Sequence, residues 1–256
     1  MRLIVEVAAK SDVGRVRQEN EDSYLVQEGI GLYVVADGMG GHVGGKRASS
    51  LAVKTLSEYV DRYADKLREG ATVTPIESSP VPRMLAGAVR EACAVIFDAA
   101  QKSRELQGMG TTVTVLLLLN DRAFIGHVGD SRCYLQRGPR IVQLTDDHSL
   151  VNEQIKAGLI TREQAAVSGL KNIITRSVGF ERDVAVDTFA LPVQNEDRFL
   201  VCSDGLCNLV DDMEMGEALL AGGLDAASDS LVNLANNRGG DDNITVLCLR
   251  VSEDAG

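Results

Sequence analysis

Four short acidic turns carry the residues best suited to chemistry: Glu21-Asp22, Asp37-Gly38, Asp204-Gly205 and Asp241-Asp242-Asn243. Most of them border apolar runs that read as buried strands: Tyr33-Val34-Val35-Ala36 before Asp37, Phe199-Leu200-Val201-Cys202 before Ser203-Asp204, and Ile244-Thr245-Val246-Leu247 after Asn243. Carboxylates delivered by strand ends from distant parts of a chain can meet in space. Bare carboxylates brought together repel unless a cation joins them. The pattern predicts a divalent-cation site at the rim of a β-sheet. Singly, each turn is ordinary, since Asp-Gly and Asp-Asn are common turn and cap pairs; their joint occurrence is what points to chemistry.

Other residues extend this set. Asp37 begins the stretch Asp37-Gly38-Met39-Gly40-Gly41-His42-Val43-Gly44-Gly45. Its glycine spacing fits neither a dinucleotide-binding turn nor a P-loop. The alternative is that Asp37 binds an ion and Gly38 lets its own carbonyl approach it. Gly129-Asp130-Ser131-Arg132 reads either as a tight turn with an Asp130–Arg132 ion pair or as a source of one more carboxylate, Asp130, for a weaker ion. Arg17, five residues before Asp22, is either a solvated loop arginine or a fork that grips a phosphate with two N–H groups. The three histidines, His42, His127 and His148, share no metal-ligand spacing. His127 reads as a packed strand residue and His148 as an anchor at a helix start. His42, in the glycine segment, is the one placed near the chemistry.

These residues need elements to hold them. Strands are expected at 3–9, 23–28 and 31–36, then a glycine-rich loop at 38–45. A helix follows at 46–66, whose apolar positions recur at helical spacing. Glycine and proline make 69–82 a loop, and a second helix buries Leu85, Ala88, Val89, Ala92 and Ile96. Residues 112–119 and 122–128 form a hairpin about Asn120-Asp121, and 132–136 and 140–144 another about Gly138-Pro139. Tight turns between consecutive strands require antiparallel pairing, which argues against a doubly wound parallel sheet. Residues 148–179 read as a partly helical insertion or flap. Strands return at 185–191 and 198–202, helical segments fill 213–236, and a last strand spans 243–251. The fold class is α+β, with packed antiparallel sheets and helices outside.

Composition narrows the function. A net charge of −11 over 256 residues argues against a nucleic-acid partner. The five cysteines are odd in number and contain no CxxC pair, which argues against a disulfide framework or a zinc ribbon and for a reducing compartment. The N-terminal run Met1-Arg2-Leu3-Ile4-Val5-Glu6-Val7 reads as a strand rather than a signal peptide. The most apolar run, 113–119, is too short to span a bilayer. The expectation is a cytoplasmic protein without a membrane span.

Taken in order, these segments resemble the metal-dependent protein phosphatases (protein phosphatase 2C, or PPM). The resemblance rests on Arg17-Gln18-Glu19-Asn20-Glu21-Asp22, Val34-Val35-Ala36-Asp37-Gly38-Met39-Gly40-Gly41, Gly110-Thr111-Thr112 and Val128-Gly129-Asp130-Ser131-Arg132. It continues through Leu144-Thr145-Asp146-Asp147-His148-Ser149, Ile174-Thr175-Arg176-Ser177-Val178-Gly179, Cys202-Ser203-Asp204-Gly205-Leu206 and Asp241-Asp242-Asn243-Ile244-Thr245-Val246. Eight matches in order are specific where one is not. The resemblance implies one domain over 1–256, a four-layer α-β-β-α sandwich of two antiparallel sheets, with a flap at about 148–179. It implies two Mn²⁺ or Mg²⁺ ions in the core site and a third, weaker one. Asp37 would bridge the core pair, the Gly38 carbonyl would join one ion, and Asp204 and Asp242 the other. Asp22 and Glu21 would act mainly through metal-bound water, and Asp130 would hold the third ion. Arg17 would bind the phosphoryl group.

The implied reaction is hydrolysis of phosphoserine and phosphothreonine by in-line attack of a hydroxide bridging the ions. The implied partners are phosphorylated proteins and a cognate bacterial serine/threonine kinase, with the enzyme a monomer. Three departures stand out. Met39 occupies a position where some members carry a histidine proposed as general acid, which leaves metal-bound water or His42 for that role. Asn208 falls where some relatives have an acid for the third ion, and the flap segment Ser168-Gly169-Leu170-Lys171-Asn172 lacks a His-Pro found in others. A small-molecule phosphoesterase would share the chemistry, whereas a catalytically silent relative would be expected to have lost one of these acids.

Overall fold

Strand β3 (Leu32–Ala36) shows why the sheets form. All five of its residues are buried, yet they divide between two cores. Leu32, Val34 and Ala36 face one apolar cluster, and Tyr33 and Val35 face another. A strand turns alternate side chains to opposite faces, so a strand covered on both faces reads as an unbroken apolar run. Strand β6 (Val113–Leu119) repeats this: Val113, Val115, Leu117 and Leu119 face the first cluster, Leu116 and Leu118 the second.

The computed structural model describes residues 3–166 and 168–253. Its remaining elements are β1 (Leu3–Asp12), β2 (Ser23–Gln27), β4 (Gly38–Met39), α1 (His42–Arg62), α2 (Ala64–Ala71), α3 (Val81–Ala100), β5 (Gly110–Thr111), β7 (Arg122–Val128), β8 (Arg132–Arg137) and β9 (Arg140–Gln143). They continue with α4 (Leu150–Lys156), α5 (Arg162–Ala166), β10 (Asp187–Pro192), β11 (Arg198–Cys202), α6 (Asp204–Cys207), α7 (Asp212–Leu220), α8 (Leu224–Asn237) and β12 (Ile244–Glu253). One antiparallel sheet has the order β1-β12-β11-β8-β9 and the other β10-β7-β6-β3-β2, with β4 and β5 forming a small ribbon. The inner faces meet around Tyr33, Ile125, Phe199, Val201 and Leu249. Helices α1 and α3 cover one outer face through Leu56, Leu85, Val89 and Ile96, and α6, α7 and α8 cover the other through Leu206, Met215, Leu231 and Ala235. The result is the expected four-layer α-β-β-α sandwich.

Register brings five turns to one end of the sandwich. Ser23 pairs with Ala36, Val113 with Val128, and Cys202 with both Arg132 and Val246. Asp22, Asp37, Asp130 and Asp204 each lie within two residues of one of these pairs, and Asp242 lies two residues before the start of β12.

The glycine segment departs from the loop expected at 38–45. Gly38 and Met39 pair with Thr111 and Gly110, and α1 already begins at His42. The glycines permit close approach rather than flexibility. A Cβ on Gly38 would lie 2.2 Å from the Gly45 carbonyl oxygen, and one on Gly45 would lie 1.8 Å from Glu21 Oε2. The helix expected at 46–66 is divided at Tyr63, whose φ of −113° and ψ of 17° leave helical geometry, and α2 then takes up part of the loop expected at 69–82. Among the described residues no helix is long and apolar enough to cross a membrane.

Candidate metal centre

Asp37 leaves the end of β3 and its backbone is clamped. Its N–H donates to Thr112 Oγ1 at 3.0 Å, and its carbonyl accepts from Thr112 N and Thr111 Oγ1, both at 2.8 Å. Thr112 Oγ1 also lies 2.7 Å from Ser131 Oγ, so one threonine joins the Asp37 turn to the turn carrying Asp130. Asp22 is held by two hydroxyls from the other sheet: Thr245 Oγ1 at 2.6 Å and Ser203 Oγ at 2.8 Å both donate to its Oδ2. Asn243 organises the chain before it, accepting from Glu21 N and donating to the carbonyls of Val13 and Glu19. Asp204 opens α6, and Asn208 Nδ2 donates to its Oδ2 at 3.0 Å. Arg17 Nη2 donates to Asp242 Oδ2 at 2.7 Å, on a side chain half exposed at the rim.

The electrostatics are those of gathered like charges. Burial raises Asp37 well above the ordinary carboxylate range, and the charges of Asp22, Asp204, Asp130 and Asp242 raise it further. Asp22 is pushed up to about 7 by burial, against the two hydroxyl bonds and with the charges of Asp204 and Asp242. Asp130 is pushed up to about 8 by burial and by Asp204 and Asp147. Asp204 is raised by burial and by Asp242, although a hydrogen bond with Asp37 favours its charged form.

Whether a cation fits can be tested on the oxygens themselves. Oδ1 of Asp22, of Asp130 and of Asp204 is buried with no hydrogen-bond partner among the described residues. A buried, unpartnered carboxylate oxygen is costly, and a cation removes the cost together with the mutual repulsion. Among the described residues the candidate donors, the aspartates and the Gly38 carbonyl, are hard oxygens, which suit Mg²⁺ or Mn²⁺ rather than Zn²⁺. No three His, Cys, Asp or Glu side chains among the described residues are drawn together closely enough to hold an ion as they stand.

Asp22, Asp37, Asp130, Asp204 and Asp242 thus lie close enough to act on one another's charge, with Arg17 and Glu21 beside them and Gly38 next to Asp37. The His42 side chain lies outside what the structure describes. His127 is packed in β7, as expected, with burial lowering its pKa to about 4. The ion pair considered for Asp130 and Arg132 is absent among the described contacts; Arg132 instead grips Asp147 with two nitrogens, Nε at 2.9 Å and Nη2 at 2.6 Å. Ser203, Thr245, Asn243 and Thr112 were not singled out one by one. Their one legible signal is a hydroxyl or amide beside an acid in a stretch that must be buried.

Aspartates crowded at the end of a double antiparallel sheet flanked by helices fit the class of phosphatases that the sequence resembles. The profile of the family described as Protein phosphatase 2C matches residues 14–238. The sequence is 40% identical over 242 residues to "Serine/threonine phosphatase stp" of Listeria monocytogenes, covering 93% of this chain and 92% of that protein. It is 36% identical over 262 residues to "Protein phosphatase PhpP" of Streptococcus pneumoniae, covering 98% and 99%. The fold is similar to the Mycobacterium tuberculosis serine/threonine phosphatase PstP/Ppp, with a TM-score of 0.86 at 32% identity over 97% of this chain and 99% of that one. It also matches the catalytic domain of PstP in complex with two manganese ions, with a TM-score of 0.85 at 33% identity over 98% and 100%. This chain belongs to the protein phosphatase 2C family.

Proposed function

We propose that this protein hydrolyses phosphoserine and phosphothreonine in other proteins, with Mn²⁺ or Mg²⁺ held at the acidic end of the sandwich, and that it opposes a serine/threonine kinase. The observation that carries this reading is the convergence of five aspartates, three of them with a buried and unpartnered Oδ1. The manganese ions of the similar PstP catalytic domain support it.

Asp37, on which the other four charges act, would serve two ions, with the Gly38 carbonyl on one and Asp204 and Asp242 on the other. Glu21 and Asp22 would hold coordinated water, and Asp130 a third, weaker ion. When bound, such cations neutralise charge on the phosphoryl group and acidify water. The chain's own residues position the substrate. Asp242 holds Arg17 through Nη2 at the rim. The guanidinium fork has further N–H donors for the phosphoryl oxygens. Met39 has no proton to give, so the leaving alkoxide takes one from water or from another side chain.

The test is phosphate release from a phosphoserine or phosphothreonine peptide with Mn²⁺, with excess chelator, and with Asp37→Asn. Loss of at least about 10²-fold in kcat is expected for the variant, and no turnover in chelator. Full activity in chelator, or in a folded Asp37→Asn protein, would refute the reading. Faster turnover of small phosphorylated metabolites than of phosphopeptides would refute the substrate class.

A further inference from the structure

His148 stands outside the ion-holding set, yet it takes both backbone groups of Gly129, the residue before Asp130. Its ring Nδ1 accepts from Gly129 N at 3.0 Å, and its own N–H donates to the Gly129 carbonyl at 2.7 Å. Because Nδ1 accepts, the ring proton sits on Nε2, which donates to Asp187 Oδ2 at 3.1 Å. Arg176 Nη1 fixes the same aspartate through Oδ1 at 2.7 Å. The His148 side chain is 6% exposed.

Thr112 also stands against Gly129. Gly129 has φ +113°, and a Cβ there would lie 2.5 Å from Thr112 Cγ2. The turn is therefore held by a threonine that also clamps Asp37 and by a histidine at the start of the flap. That start is joined to the flap's return: the His148 carbonyl accepts from Thr175 N, Ser149 bridges Ile174, and Leu150 N donates to the Ile173 carbonyl. Both ends of the flap thus converge on the residue that grips Gly129.

We propose that His148 is a positioning residue through which the flap sets the Asp130 carboxylate and, with it, the affinity for the divalent cation held there. Displacement of the flap pulls on Gly129 through two hydrogen bonds, and Asp130 follows. Asp204 and Asp242 do not hang from this link, and Asp37 keeps its own backbone bonds to Thr111 and Thr112, so the core ions are spared. The proposal rests on the reading of Asp130 as an ion-holding carboxylate.

The experiment is a Mn²⁺ titration of the full chain, followed by calorimetry and electron paramagnetic resonance, with hydrogen exchange at the Gly129 amide as a readout independent of activity. The wild type is expected to show a tight and a weak class of ion. His148→Gln removes the acceptor at the Nδ1 position and should weaken the weak class by about 10- to 100-fold, the range seen when supporting partners of a ligand are lost. The tight class should be unchanged. His148→Asn places an amide oxygen near the Nδ1 position and should retain both the weak class and Gly129 protection. If His148→Gln does not fold, Asp187→Ala, which frees the ring without removing it, should show the same selective loss. A weak class unaltered in these variants, both classes lost together in a folded variant, or a wild type with tight ions alone would each overturn the coupling. A wild type that binds no Mn²⁺ would instead overturn the functional reading beneath it.

Discussion

The aspartates do not stand alone at the residue scale. Asp22 receives hydroxyl bonds from Ser203 and Thr245, residues 181 and 223 positions away along the chain. Those bonds hold one carboxylate oxygen and leave Oδ1 buried without a hydrogen-bond partner among the described residues. Arg17 lies beside Asp242 at the rim, and its proposed grip on the phosphoryl group would depend on shape as well as charge. Arg17→Ala should lower kcat/KM on a phosphopeptide by about 10²-fold, the cost of removing one donor that stabilises transition-state charge. Arg17→Lys should recover only part of the loss, because an ammonium restores the charge without the planar fork. Steady-state kinetics of both variants checks this, and equal rates for lysine and arginine would show that only charge matters. The acids and this arginine were legible in the sequence because their type and turn setting imply a cluster. Ser203, Thr245 and Thr112 were not, because the meaning of a hydroxyl lies in its partner, and each partner comes from a remote strand.

At the scale of elements, strand ends deliver the acids and glycines let the elements close. The hairpins and paired strands were legible from apolar runs and turn pairs. The glycine segment misled, because glycine marks both flexible loops and tight contacts and only the neighbouring backbone decides which. Gly45 gives the sharpest test. It lies inside α1 without positive φ, where alanine would ordinarily stabilise a helix by about 0.5–1 kcal/mol. Its Cβ, however, would meet Glu21 Oε2 at 1.8 Å and the Gly38 carbonyl carbon at 2.8 Å. Gly45→Ala should therefore displace the Glu21 carboxylate and press on Gly38. The expected outcome is weaker Mn²⁺ binding by calorimetry and lower kcat, with a thermal midpoint that changes little. A variant that melts higher and binds and turns over as the wild type would show that Glu21 contributes nothing through that position.

Across the whole molecule the cluster makes stability depend on cations as pH changes. In protein stripped of metal, burial and mutual charge push Asp22 up to about 7 and Asp130 up to about 8. An unfolded aspartate titrates near 3.9, so between these values the native state binds protons that the unfolded state does not. Stability from these groups is therefore fully present below about pH 4 and is lost as pH rises through 7 to 8. His127 acts oppositely: burial lowers it to about 4, so its contribution is lost as pH falls from about 6.5 toward 4. Above pH 6.5 the histidine's opposing slope is at most half a proton and fades within about one pH unit, so the two carboxylates dominate. The chelated protein should then lose about 1 kcal/mol or more between pH 6.5 and 8, roughly 2–4 °C per kcal/mol in midpoint for a chain of this size. Saturating Mn²⁺ holds the carboxylates charged in the native state and should flatten that slope. It should also raise every midpoint by mass action, which is why the slope and not the offset carries the test. Thermal melts in chelator and in Mn²⁺ across this range decide it. Parallel curves would mean that the carboxylates keep their ordinary proton affinity without metal, and that the charge crowding at the end of the sandwich is relieved by some other group.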